Sequence, residues 1–253
     1  MRLLLSNDDG YLAPGLTALA ESFEDADLLV IAPERNCSGA SNSLTLDRPL
    51  RLQRAQNGFW FIDGTPTDCV HLAMTAAEFA PLPDLVIGGI NAGENLGDDV
   101  LYSGTVAVAM EGRMMGRPSI AISLAGPVPT HYDTAARVTR LLVEGMRRTA
   151  LPPDTVLNVN VPDVTWQELR GFEVTRLGLR HPSSPVVRST DPRGRPVWWV
   201  GAVGEPQDVA PGTDFHAIRA RRVSITPLQA DLTRHGVLDT VRDWMHSLDP
   251  SSE

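Results

Sequence analysis

The sequence predicts an α/β fold built on a doubly wound, mostly parallel sheet. Three observations predict it. Short apolar runs alternate with stretches of helical period, the connectors between them are short, and the polar motifs fall where the apolar runs end. In such sheets ligands sit beyond the carboxyl ends of the strands.

Leu3–Leu5 reads as a first strand buried on both faces. Pro14-Gly15 leads into LTALAESF, with Leu16, Leu19 and Ala20 at helical spacing. ADLLVIAP is a second buried strand, stopped at Pro33. Residues 34–47 carry Gly, Ser, Asn and Thr without helical period and read as a long loop, a length that often marks function. Trp60–Ile62 is a strand, Asp63-Gly64 a turn, and a helix starting at Thr65, Pro66 or Thr67 runs on through DCVHLAMTAAEF. Leu85–Ile87 is a strand ending in glycines. SGTVAVAMEGRMMG is a helix closed near Gly116, and PSIAISL is another strand. YDTAARVTRLLVEGMRR is an amphipathic helix with Val138, Leu141 and Leu142 on its apolar face, followed by the strand TVLNVNVP.

The pattern changes after Pro162, so the chain divides into a core of residues 1–162 and a β-rich region of residues 163–253 packed on it. Asp191-Pro192-Arg193-Gly194 suits a type I turn and predicts a long hairpin. Trp198 and Trp199 on that hairpin point to opposite faces, leaving at least one exposed unless a partner covers it. RRVSITPL is a late strand and LDTVRDWMHSL a terminal helix.

A formal charge of -9 argues against a nucleic-acid polymer or an anionic membrane surface as partner, while leaving room for a single nucleotide. The two cysteines, Cys37 and Cys69, form no CxxC and read as small buried hydrophobes. No signal-peptide pattern precedes the first strand and no apolar stretch spans a bilayer, so a cytoplasmic protein is expected.

Asp8 and Asp9 carry the chemistry. A single Asp satisfies a turn or helix cap, and two adjacent ones exceed that need. A divalent cation neutralises both, and Asp and Asn oxygens are hard ligands that suit magnesium, manganese or calcium better than zinc. In IGGINAGENLGDD, Asn91 adds a neutral amide that completes a metal shell without further charge, while Asp98 and Asp99 read as caps or structural partners. Ser103, Gly104 and Thr105 stand just before a helix, where free N–H groups and the helix dipole favour a phosphate. Ser38, Ser41, Asn42 and Ser43 in the long loop are either solvated turn residues or a flap bringing oxygen donors over the metal. No GxGxxG follows the first strand, the six histidines form no HxH or HExxH pair, and no Gly-x-Ser-x-Gly elbow occurs.

LLSNDDG, APE-RNCSGASNSLT, GTPTDC, INAGENLGDDVLYSGTVAVAMEG and PGTDF together resemble the survival protein E family of stationary-phase survival nucleotidases, over essentially the whole chain. The resemblance implies hydrolysis of nucleoside 5′- and 3′-monophosphates with a divalent metal, Mg²⁺ or Mn²⁺, and in some members of short polyphosphate. Carried over by motif, Asp8, Asp9, Ser38 and Asn91 would hold the metal. Asn95 and the Ser103-Gly104-Thr105 turn would hold the phosphate, and Asp8 is left as base, nucleophile or ligand only. The resemblance further implies a Rossmann-like domain with a projecting β-hairpin and a C-terminal exchanged segment, giving a homodimer or homotetramer. Two positions depart from the pattern: Leu12 stands where many relatives carry His, and Cys37 where they carry a basic or polar residue. The expected activity is therefore that of a metal-dependent phosphomonoesterase. The rival is a nucleotide-binding regulator that uses the same pocket without turnover.

Overall fold

Three consecutive leucines give β1 (Arg2–Ser6) two apolar faces, and the strand uses both. Leu3 and Leu5 enter one core with α1 (Pro14–Ser22) and α4 (Tyr132–Arg148). Leu4 enters the opposite core with α2 (Pro66–Thr75) and Val108 of α3 (Gly104–Met114). Helices on both faces of the sheet are what continuous apolar strands require. These statements come from a computed structural model that describes residues 1–152, 154–180, 184–201, 203–246 and 248.

β1 is central. β2 (Asp27–Pro33) and β5 (Leu85–Ala92) flank it in parallel, with Leu3 opposite both Leu28 and Leu85. β4 (Trp60–Ile62) lies parallel outside β2, and β3 (Leu52–Arg54) closes that edge antiparallel. On the other side β6 (Ser119–Ala125) and β7 (Val156–Pro162) continue the parallel run. β11 (Val223–Leu228) then adds antiparallel to β7, and β8 (Phe172–Val174) pairs parallel with β11. The order is β3-β4-β2-β1-β5-β6-β7-β11-β8, so the chain leaves β1 toward β2 and β4 and returns on the other side at β5. The topological switch point lies between β1 and β5, where an open α/β sheet forms its ligand crevice.

The region after Pro162 thus lends two strands to the same sheet. It also forms the separate hairpin of β9 (Val187–Thr190) and β10 (Pro196–Trp199), closed by the predicted turn through Asp191 and Gly194. α5 (Asp214–Arg219) and α6 (Leu238–His246) complete the described helices. Among the described residues no helix is long and apolar enough to cross a membrane.

Several expectations are corrected. The helix expected to run to Phe79 ends at Thr75; Ala76 is extended and one 3₁₀ turn at Ala77–Phe79 follows, which brings Phe79 edge-on to Trp60. β5 does not end at Ile87 but continues through its glycines to Ala92, so Asn91 stands within the strand. Leu141 is 42% exposed, off the apolar face of α4. The buried stripe runs through Ala135, Val138 and Val143, with Leu142 and Met146 beside it. The late strand β11 is antiparallel to β7, and β3 and α5 have no counterpart in the sequence reading.

Candidate active site

The turn that leaves β1 is built by Asn7, which is fully buried. Its Nδ2 donates to the carbonyl of Gly10 at 3.0 Å and its Oδ1 accepts the Gly10 N–H at 3.2 Å. This brace holds Asp8 and Asp9 at the switch point. Asp9 reaches across it, accepting the Ala92 N–H of β5 at 3.0 Å. Asn36, in the loop after β2, donates to the other Asp9 oxygen at 3.2 Å.

Asp8 is 4% exposed. It faces the start of α3, where the Thr105 hydroxyl donates to its Oδ1 in a short hydrogen bond. A Cβ placed on Gly104 would lie 2.6 Å from the Asp8 Cβ, so only glycine lets the helix end come this close. Burial pushes the Asp8 carboxyl up to about 6; the Thr105 hydroxyl opposes this and the Asp9 charge adds to it. Burial also raises Asp9, against the pull of the Ala92 amide. Neither carboxylate has an ion pair with Arg or His among the described residues. Two adjacent, desolvated acids without a cationic neighbour are a donor set short of positive charge.

The loop of residues 34–47 is tied over this edge. The Cys37 N–H donates to the Asp8 carbonyl at 2.7 Å, and the Ser41 hydroxyl to the Leu101 carbonyl at 2.6 Å. Thr65 donates to the Ser43 carbonyl at 2.6 Å, and Thr45 binds both oxygens of Asp68. Asp68 is also the inner half of the α2 capping box with Thr65. Ser38 follows Cys37 directly and is exposed, its N–H held by Asn36 at 2.8 Å. Cys37 is half-buried with a thiol raised by burial, and Leu12 is 71% exposed.

Asn91 stands at the end of β5, its Nδ2 on the Gly93 carbonyl at 2.9 Å. Asn95 is 7% exposed; its Nδ2 donates to Ser123 at 2.8 Å and its backbone is gripped by Asn158 and Asn160 of β7. That anchoring leaves the Asn95 Oδ1 without a partner among the described residues. Ser103 caps α3 by accepting the Val106 N–H at 3.1 Å. The Thr105 side chain is fully buried and its hydroxyl donates to Asp8, which leaves the backbone N–H groups of the turn as its phosphate-facing donors. Asp98 and Asp99 have the structural employment that the sequence suggested. They hold Arg180, Asp98 through its N–H at 3.1 Å and Asp99 through Nε at 2.9 Å.

Asn7, Asn36 and the Ala92 N–H were not assigned roles from sequence. Asn7 had a usable signal, since Asn three residues before Gly favours a side-chain-closed turn. The contacts of Asn36 and Ala92 depend on long-range geometry that sequence does not carry.

Fold and site together define a doubly wound α/β protein with an oxygen-rich, cation-poor crevice at its switch point, closed by a helix N-terminus. A model of the family described as Survival protein SurE matches residues 3–184, and the chain belongs to that family. It is 57% identical over 249 residues to the 5′-nucleotidase SurE of Nitrosococcus oceani, covering 98% of this chain and 99% of that one. It is 60% identical over 246 residues to the protein of the same name from Methylococcus capsulatus, covering 97% and 98%. The crystal structure of the SurE protein from Aquifex aeolicus superposes with a TM-score of 0.85 at 41% identity, over 97% of this chain and all of that one.

Proposed function

We propose that this chain is a phosphomonoesterase acting on nucleoside 5′- and 3′-monophosphates, with short-chain polyphosphate as a further substrate. One observation carries the reading: Asp8, buried against the N-terminus of α3, and Asp9, half-buried beside it, lie adjacent at the switch point without an ion-pair partner among the described residues. The names of the relatives point the same way.

The donor set fits a divalent cation, Mg²⁺ or Mn²⁺. Asp8, Asp9, Ser38 and Asn91 offer two carboxylates, a hydroxyl and an amide, all hard oxygens. Among the described residues no three His, Cys, Asp or Glu side chains gather at one point, so an ion held here would rest on two carboxylates completed by neutral oxygens. Such an ion supplies charge neutralisation at the phosphoryl oxygens and acidifies bound water. The protein's own part is positioning. The N–H groups at the start of α3 and the second Nδ2–H of Asn95 orient the phosphate, Thr105 fixes the Asp8 carboxylate, and the tied loop limits water. The same proposal places the reaction in the cytoplasm, where its two free thiols stay reduced.

The test is metal stripping and rescue. Protein treated with chelator is assayed for phosphate release from AMP, GMP, CMP and tripolyphosphate, then supplied with Mg²⁺ or Mn²⁺. Activity should fall by roughly 100-fold or more and return with the ion. Saturable nucleotide binding with no phosphate released would instead mark a regulator without turnover.

A further inference from the structure

The motif PGTDF, Pro211 to Phe215, supplies no group to the crevice, yet its aspartate is fully buried. Asp214 is the first residue of α5. Its Oδ2 accepts the Gly97 N–H at 2.7 Å, and its Oδ1 accepts the N–H groups of Gly178 and Phe215, each at 2.9 Å. Donors on both oxygens need a carboxylate, because an amide offers one acceptor oxygen and would turn its NH₂ against an N–H. The bonds are charge-assisted, which offsets part of the cost of burying the charge. Closing the helix does not explain that charge: Thr213 already caps α5, accepting the His216 N–H at 3.2 Å.

What Asp214 holds is the link between the two phosphate-facing groups of the crevice. Asn95 lies two residues before Gly97, and a 3₁₀ turn at Gly97–Leu101 leads on to Ser103 and Gly104 at the start of α3. The Asn95 backbone is gripped by Asn158 and Asn160 of β7, and Asp214 holds the next bend at Gly97. The seat is close. A Cβ on Gly97 would lie 2.9 Å from the Phe215 ring and 3.0 Å from the Gly178 carbonyl oxygen, at a φ of +54° that favours glycine. A slip of this bend moves Asn95 relative to the N-terminus of α3, and a misplacement of about 1 Å costs on the order of 10²-fold in rate.

We propose that Asp214 is a positioning residue for phosphoryl transfer. From the region after Pro162 it fixes, through the Gly97 amide, the spacing between Asn95 and the start of α3. The assignment rests on the phosphomonoesterase reading and deepens it: the core of residues 1–162 carries the reacting groups, while part of what sets their geometry comes from α5.

The experiment compares Asp214→Asn with Thr213→Ala in the full chain with Mg²⁺. Both weaken α5, and only the first disturbs Gly97. Asp214→Asn should lower kcat for AMP by about tenfold or more with KM changed less than about threefold. Orthovanadate, whose five-coordinate form imitates the phosphoryl group in transfer, should bind it about tenfold or more weakly, and inorganic phosphate within about threefold of wild type. Thr213→Ala should melt earlier and keep kcat and both affinities within about twofold. Equal activity per folded molecule in the two variants would mark a plain structural staple and overturn the proposal. Gly97→Ala meets the Phe215 ring and lifts the same amide off Asp214 while α5 keeps its carboxylate, so it decides the matter if Asp214→Asn does not fold. It should show the same fall in kcat and in vanadate affinity, and wild-type values there would also overturn the proposal. A wild type that binds vanadate but releases no phosphate from AMP would count against the reaction alone, because the vanadate comparison decides the role of Asp214 without turnover.

Discussion

Asp8 is where function and stability pull against each other. Its carboxyl sits near 6 instead of 3.8 because burial disfavours the charged form. The folded state therefore holds the proton more tightly than the unfolded one, and the group costs stability wherever it is ionised. That cost is absent below about pH 4, grows between pH 4 and 6, and is complete above, at most about 3 kcal/mol. Asp8→Asn removes the charge, keeps an oxygen for Thr105, and should stabilise the metal-free protein at pH 8 by about 1–3 kcal/mol. The gain should vanish by pH 4. The same variant should lose about 10²–10³ in kcat. Thermal melts in EDTA across that pH range, paired with the AMP assay, test both halves; a variant less stable than wild type at pH 8 contradicts the account. The acid pair was legible in sequence because two adjacent acids exceed any capping need. The bond from Thr105 to Asp8 was not legible, because Ser-Gly-Thr before a helix looks the same whether its last hydroxyl faces a ligand or a neighbouring carboxylate.

One scale up, α3 reaches Asp8 only because β5 lets it come close. A Cβ on Gly88 would lie 2.5 Å from the Thr105 carbonyl, and one on Gly112, at the far end of α3, 2.6 Å from the Val86 Cβ. Gly88→Ala and Gly112→Ala should each destabilise by about 1–3 kcal/mol through overpacking. Their effects on turnover should differ, because Gly88 lies under the helix end that meets Asp8. We expect Gly88→Ala to lower kcat by roughly tenfold and Gly112→Ala far less; equal losses would mean that α3 shifts as a rigid body. The same glycines explain what sequence could not show. β5 continues past Ile87 through residues with little strand preference, carried by pairing with β6 at Asn91 and Ala92. β3 and α5 are three and six residues long, too short for a period to emerge. The long runs β1, β2, β6 and β7 were readable because burial on both faces leaves unbroken apolar sequence.

For the whole molecule, two elements leave the sheet and bury almost nothing. The hairpin exposes Trp198 at 63% and Trp199 at 67%, beside Val187 and Val200. α6 has nine residues, none buried, with Leu238, Val241 and Met245 exposed. An isolated two-stranded hairpin is marginal in water, and so is a helix of that length, so neither holds its form without a surface to pack on. Large apolar side chains exposed together on such an element mark an interface. The occupant we propose is a second copy of the chain, as a homodimer or homotetramer with the C-terminal segment exchanged, and it accounts for both tryptophans where sequence alone required only one to be exposed. Light scattering on the wild type should give twice or four times the chain mass. Trp199→Glu with Val241→Glu places charge on both elements without touching the sheet, and should return the mass toward one chain. Circular dichroism on that variant should show an intact α/β core, because the crevice between β1 and β5 draws on neither element. A wild type that stays monomeric at every concentration while keeping its hairpin tryptophans shielded from a soluble quencher would end the proposal, since the shielding would then come from within one chain.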